Sequence, residues 1–281
     1  MHKYVSGPIV AAAGLLTLSF GLLPRLAPDL GAARAQAASS TPDLTGVWSP
    51  PRTAKGFLPY SFSPEAPPPM QPWAAKRCEL VGCGTGTLGR ANDDLMDPYI
   101  TSCAPFGIPR MMNHVSPFEI LQTKNRVIML FESGNSIRQI WMDGRGHPAD
   151  WDPTWLGHSI GRWEGETLVV DTVGMNDKTW LDTAGHPHSD ALHIVERIRR
   201  VDHETLENNL TFEDPKTYTK PWSSKIIYKL HPDWALHEDV ICEDRILMDL
   251  KAKKDKVYPY QPYPMTFPVE AIPLPDVANA K

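Results

Sequence analysis

Through the middle of the chain apolar and polar residues alternate with a period of two, and no long stretch carries the 3.6-residue apolar period of a helix. Arg126 to Glu132 and Ser136 to Met142 flank Ser133-Gly134-Asn135, and Ile160 to Trp163 and Thr167 to Thr172 flank Glu164-Gly165-Glu166. Each pair reads as a hairpin, because a short polar turn with glycine separates two alternating runs. His193 to Val201 and Thr205 to Phe212 make a third pair around Asp202-His203-Glu204, and Ser223 to Leu230 and Leu236 to Cys242 follow as further strands. Leu44 to Trp48 supplies an early strand, and a short helix is predicted near Gln71 to Leu80. Many short strands with few helices predict an all-β fold, an antiparallel β-barrel or β-sandwich.

Proline marks the margins of this region. Residues 49–73 carry Pro50, Pro51, Pro59, Pro64, Pro67, Pro68, Pro69 and Pro72, and residues 257–275 repeat the habit in Tyr258-Pro259-Tyr260-Gln261-Pro262-Tyr263-Pro264. Such segments cannot donate a regular hydrogen-bond ladder, so they are expected to run as extended straps on the body. The first 37 residues read as a secretory signal. His2 and Lys3 precede an apolar run from Pro8 to Leu23, and Ala33-Arg34-Ala35 and Ala35-Gln36-Ala37 offer small-residue cleavage sites. A retained anchor is the second reading, disfavoured because the apolar run is short for a bilayer span. Residues 38–281 then form a single β-rich domain in the periplasm or outside the cell, with no membrane contact after cleavage.

Export permits disulfides, and the chain has four cysteines: Cys78, Cys83, Cys103 and Cys242. Three pairings are possible. Cys78 and Cys83 lie close together around Gly82, which leaves Cys103 to reach Cys242. The long loop so closed would contribute about 4 to 5 kcal/mol in the chain-entropy description. A zinc site from all four cysteines is poorer, since the close spacing occurs only once. The net charge of −5, with no basic block, argues against nucleic acid as a partner.

Charged residues on apolar faces are the next signal. Glu196 shares a face with Ile194 and Ile198, Arg138 with Ile140 and Met142, and Asn208 with Leu206, Leu210 and Phe212; Asp171 follows Val169. A buried charge must pair or meet a ligand. Arg138 and Glu196 are therefore either a structural pair or members of a site.

Chemistry concentrates between Asp143 and Arg197, where five of the ten histidines lie: His147, His158, His186, His188 and His193. The loop from Asp143 to His158 is too rich in glycine and proline to be regular and too rich in tryptophan to be casually exposed. Trp151 and Trp155 can floor a pocket into which His147, Asp150, Asp152 and His158 point. A carboxylate beside an imidazole orients it and raises its basicity, which suits acid–base work near neutral pH. The expected roles are His158 as base, Asp152 or Asp150 as its orienter, and His147 as acid. Arg138 or Arg162 would stabilise developing negative charge, and Glu196 completes the candidate catalytic set. A second loop, Asp177 to Asp190, adds Trp180 and the His186-Pro187-His188 pair as ligand-binding candidates. His186 and His188 are also the candidate ligands of a divalent metal, although two ligands do not make a site and no metal or other cofactor is favoured. The competing reading makes these loops plain turns, with aspartates capping the backbone and histidines bonding carbonyls. If the loops are functional, both should converge on one rim. A Gly-x-Ser-x-Gly elbow, a phosphate loop and a His-Glu-x-x-His motif are all missing, and Gly82-Cys83-Gly84-Thr85-Gly86 is followed by no convincing βαβ helix.

Two resemblances bear on these expectations. Asp152 to Gly165, read as Asp-Pro-Thr-Trp-x-Gly-His-Ser-x-Gly-Arg-Trp-Glu-Gly, and Thr179 to Ser189, read as Thr-Trp-Leu-Asp-x-x-Gly-His-Pro-His-Ser, resemble a group of exported proteins from environmental Gram-negative bacteria. So do the stretch Cys103 to Arg110 and Lys220-Pro221-Trp222. This resemblance covers most of the mature chain and implies a shared fold and site, but lends no reaction. Gly46-Val47-Trp48 resembles the opening of calycin proteins, the lipocalin and avidin type, where the tryptophan packs across the barrel bottom.

The reading that follows is an exported enzyme acting on a small organic molecule, a sugar derivative or an aromatic, by His/Asp acid–base catalysis in hydrolysis, elimination or isomerisation. The alternative is a calycin-like binding protein that holds an apolar small ligand without chemistry. A third is an interaction module, which predicts no deep pocket.

Overall fold

The computed structural model describes residues 41–51, 61–63, 66–83, 97–99 and 103–240. The expected signal segment and the C-terminal proline strap lie outside these residues. Nine strands close into a barrel in which each neighbours the next in sequence: β1 (Gly46–Ser49), β2 (Phe118–Gln122), β3 (Arg126–Phe131), β4 (Ser136–Trp141), β5 (His158–Glu164), β6 (Thr167–Val173), β7 (His193–Asp202), β8 (Thr205–Glu213) and β9 (Trp222–Leu230). β1 closes the ring by pairing antiparallel with β9 through Trp48 and Leu230. Closure settles the choice between barrel and sandwich, and it removes the free edges that an open sheet would have to protect. All adjacent pairs are antiparallel except one. β4 and β5 run parallel and meet only through Ile140 with Ser159 and Trp141 with Ile160. A parallel neighbour cannot be reached by a tight turn, so residues 142–157 run back along the outside of the wall before β5 begins.

Alternation sorts the strand residues into a packed interior and an outer face. Leu168, Val170, Ile194, Ile198, Leu206, Leu210, Phe212 and Tyr228 belong to the buried core, which also holds Trp48. The Trp48 indole donates to the Leu44 carbonyl at 3.0 Å, so the polar end of a fully buried ring is satisfied. Gly46 makes this strand possible: its φ is +138°, and a Cβ there would stand 2.7 Å from Leu230 Cδ1.

The interior also contains the predicted charged exceptions, joined in one network. Arg138 and Glu196 form an ion pair with both side chains about 1% exposed or less. The same guanidinium donates to Thr172 Oγ1 at 2.9 Å and Ser159 Oγ at 3.2 Å, while Glu196 Oε1 accepts from Asn208 Nδ2 at 2.9 Å. Thus the residues that broke the apolar pattern satisfy one another across β4, β5, β6, β7 and β8.

Helix α1 (Pro72–Val81) lies where the sequence predicts it, with proline in its first turn and Gly82 capping its end at φ 73°. Cys78 and Cys83 are bridged across that cap. Cys103 is also disulfide-bonded; its expected partner, Cys242, lies outside the described residues. The described part of the N-terminal strap is packed as expected, since Gln71 N donates to Thr217 O at 2.7 Å and Thr219 N to Pro69 O at 2.7 Å.

Two strand assignments need correction. Phe118–Gln122 is a strand that the alternation did not single out. Leu236 to Val240, predicted as a strand, is irregular. The barrel is already closed by β1 and β9, so no edge remains for it. That segment is held instead by the turn between β3 and β4, where His237 N donates to Glu132 and Asp239 N donates to Asn135, each at 3.0 Å. Ile241 and Cys242 fall outside the described residues.

Candidate functional site

The site lies on the outside of the barrel wall. Ser159, Thr172, Ile194 and Phe212 point inward, so their chain neighbours His158, Asp171, His193 and Glu213 share the outer face of β5 to β8. The register sets their approach: Asp171 pairs with Ile160 on one side and Val195 on the other, which makes His158 and His193 its diagonal neighbours, and His193 pairs directly with Glu213. The crossover of residues 142–157 then lays His147 and Trp151 over this row.

The result is a continuous chain of polar contacts. Glu213 Oε2 lies 3.3 Å from His193 Nδ1, and His193 Nε2 lies 3.0 Å from Asp171 Oδ1. His147 Nε2 lies 3.1 Å from the same oxygen, and His147 Nδ1 lies 2.8 Å from His158 Nδ1. A carboxylate oxygen only accepts, so His147 donates from Nε2 to Asp171. The lone pair on its Nδ1 then accepts from His158, which carries its proton on Nδ1. His158 Nε2 then carries the lone pair, with no hydrogen-bond partner among the described residues. Burial, followed by the neighbouring His147 and Arg145, lowers the His158 imidazole from its ordinary pKa.

Beside His158 opens a cavity of about 380 Å³ lined by Ile137, Trp141, Trp151, Trp155, Leu156 and His158 among others. It sits where β4 and β5 diverge, beyond their two paired positions. Trp151 packs on His158 with ring centroids 4.8 Å apart. Gly174, at the end of β6, leaves room for that ring: its φ is +71°, and a Cβ there would stand 2.5 Å from Trp151 Cδ1. Arg145, paired with Asp143, stacks 3.7 Å above Trp141.

Of the candidates from sequence, His147, His158, Trp151 and Trp155 are brought together. Asp150 and Asp152 are exposed in the crossover, and the orienting carboxylate is Asp171 instead. Arg162 lies farther along the wall, exposed and paired with Glu164. Arg138 borders the cavity but commits its guanidinium to the interior network, as does Glu196. Trp180 is buried beneath Arg110 and does not line the cavity.

His186 and His188 are both buried, in surroundings of their own. His188 bonds Thr179 Oγ1 at 2.8 Å and the Ser189 carbonyl at 3.1 Å, and burial lowers its pKa. His186 Nδ1 lies 2.7 Å from Asp182 Oδ2. The two loops do share packing, since Ile108 N donates to Trp155 O at 3.3 Å while the adjacent Gly107 lies against Thr179. Their histidines nevertheless form two separate groups rather than one pocket rim.

The members that sequence reasoning left out are Asp171 in its orienting role, His193 as its second donor, and Glu213. Their signal was strand register: an outward aspartate, with a histidine as its diagonal neighbour on the next strand. No protein-family model matches the chain and no curated protein matches it, so the chemistry of the site is read from its residues alone.

Proposed function

We propose that this protein is an exported enzyme that acts on a small ring-bearing molecule, an aromatic or a sugar derivative, with His158 as general base. The observation that supports it is the His158–His147–Asp171 series, which fixes the His158 proton on Nδ1 and leaves Nε2 free beside an aromatic cavity. A ring held against Trp151, Trp155 or Trp141 would place an acidic C–H, or a water, near that nitrogen. His158 would take the proton at Nε2, and the positive charge formed would be offset by Asp171 through His147. His158 then returns the proton to the leaving group or to a new carbon. Hydrolysis, elimination and isomerisation all begin with such a transfer, and a positioned base of this kind contributes about 10² to 10⁴ in rate. His147, standing behind His158, serves as its orienter rather than as a second acid.

A second reading has its own support. Ile137, Leu156 and the tryptophans give the cavity the apolar lining of a carrier, which would hold the same ligands without turnover. Incubating the purified protein with a mixed metabolite extract, with and without chelator, and following consumption by mass spectrometry separates the two. Turnover that disappears in His158→Ala supports the enzyme. Ligands that co-purify unchanged, and are retained equally by His158→Ala, support the carrier.

A further inference from the structure

We propose that Cys78, Cys83 and His186 form a latent site for a thiophilic divalent metal, zinc foremost, that opens when the Cys78–Cys83 disulfide is reduced. Both sulfurs and one ring nitrogen of His186 lie within 4.8 Å of one another. A tetrahedral zinc ion with ligands at about 2.3 Å for sulfur and about 2.0 Å for nitrogen holds its two sulfurs about 3.8 Å apart and each about 3.5 Å from the nitrogen, so the sulfurs must separate once the bridge is reduced, while the imidazole is already within reach.

The surroundings of His186 fit this role. His186 Nδ1–H donates to Asp182 Oδ2 at 2.7 Å, which leaves the lone pair of Nε2 for a metal. Asp182 is fully buried and is itself fixed by backbone N–H groups of Phe62 and Ala184, at 2.9 and 3.0 Å. A carboxylate behind a histidine is the usual support of a metal-binding imidazole, since it sets the tautomer and raises ligand basicity. The two halves of the site are already in contact: a Cβ placed on Gly185 would stand 3.5 Å from Cys83 Sγ and 3.1 Å from Val81 Cγ2. His188 takes no part, because both of its nitrogens are engaged.

The chemistry balances with a dithiol as reductant. It gives two electrons and two protons to the Cys78–Cys83 bond and leaves as its own disulfide. The two thiols then lose their protons as two metal–sulfur bonds form, His186 Nε2 supplies the third bond, and a fourth position stays open to water or a small ligand. Exchange with another disulfide re-forms the bridge and frees the ion. The site is independent of His158 and stands whether or not the acid–base reading does.

The test uses the full-length protein with cobalt(II) as the probe, before and after reduction by a phosphine. A sulfur-to-cobalt charge-transfer band should appear after reduction only, saturate at one cobalt per chain, and vanish on adding zinc. Cys78→Ser and His186→Gln should each abolish saturable binding, and Asp182→Asn should weaken it about 10- to 100-fold. Cys103→Ser should keep the band, which assigns the thiols. Circular dichroism of each protein distinguishes loss of the site from loss of the fold. The proposal is overturned by a folded, reduced protein that gives no band, by a band that His186→Gln leaves unchanged, by one that follows Cys103, or by unfolding on reduction that zinc does not reverse.

Discussion

Replacing Arg138 with Met separates a structural role from a ligand-binding one. Met fills much of the same space but removes the donors to Glu196, Thr172 and Ser159 at once. Glu196, fully buried, is then left with Asn208 Nδ2 as its remaining donor among the described residues. Breaking a buried pair from one side costs about 3 to 5 kcal/mol, because the surviving charge stays out of water without its partner. Taking about 4 kcal/mol and a urea slope of about 3 kcal/mol per molar, the unfolding midpoint falls by ~1.3 M. Urea titration followed by circular dichroism reads this directly. The double variant Arg138→Met with Glu196→Leu removes both charges and should recover most of the loss, and the cycle of single and double variants gives the coupling. A shift below about 0.3 M for Arg138→Met, or single-variant losses that simply add, would refute the pairing and return Arg138 to the cavity as a ligand contact.

Three further outcomes are expected. Asp171→Asn should lower turnover by up to about 10⁴, with little change in affinity for a cavity ligand, because the orienting carboxylate is lost while the tryptophans remain; steady-state kinetics on the substrate found by the metabolite screen checks it. Gly174→Ala forces a side chain toward Trp151 at a positive φ, so it should cost about 1 to 3 kcal/mol in thermal unfolding and shift the His158 ring resonances. Burial, followed by the charge of Arg110, pushes His114 down to about 4, and His158 and His188 are lowered too, chiefly by burial. The unfolded chain therefore takes up protons first: this part of the stability is present above the unfolded histidine range near 6.5 and is lost as pH falls, the His114 share ending near pH 4. Denaturant midpoints measured from pH 8 to 4 should drop through this window, and the drop should shrink in a His114→Gln protein.

The barrel was legible because strand alternation reports burial directly. Arg126 to Met142 and His193 to Phe212 largely alternate, Ile160 to Thr172 pairs as read although Leu168, Val169 and Val170 are buried in a row, and Arg138, Glu196 and Asn208 stood out as polar residues on apolar faces because they do enter the core. Phe118–Gln122 was missed because five residues with leucine beside isoleucine give little alternation to detect. The site was half legible. His147 and His158 sit in one conspicuous loop, so composition alone found them. Asp171, His193 and Glu213 come from three successive strands and meet only through register, which sequence adjacency does not carry. For the same reason Asp150 and Asp152, near in sequence, were assigned the work that Asp171 does from across the hairpin.

The single parallel pair explains why chemistry gathers where it does. The joint of β4 to β5 is the one parallel joint among the described strands, and it obliges residues 142–157 to travel back over the wall. A chain segment laid across a barrel covers what lies beneath it, and here His158 is buried while Asp171 and His193 stay partly exposed. Because the two parallel strands meet at only two positions, the rest of the seam gapes, and the tryptophans of the crossover line that gap instead of closing it. The His158 ring therefore borders a largely apolar opening, while its Nδ1 is joined through His147 to Asp171. Shortening the crossover to a tight connection would remove His147 and Trp151 together, so the irregular joint that interrupts the barrel is also what assembles its site.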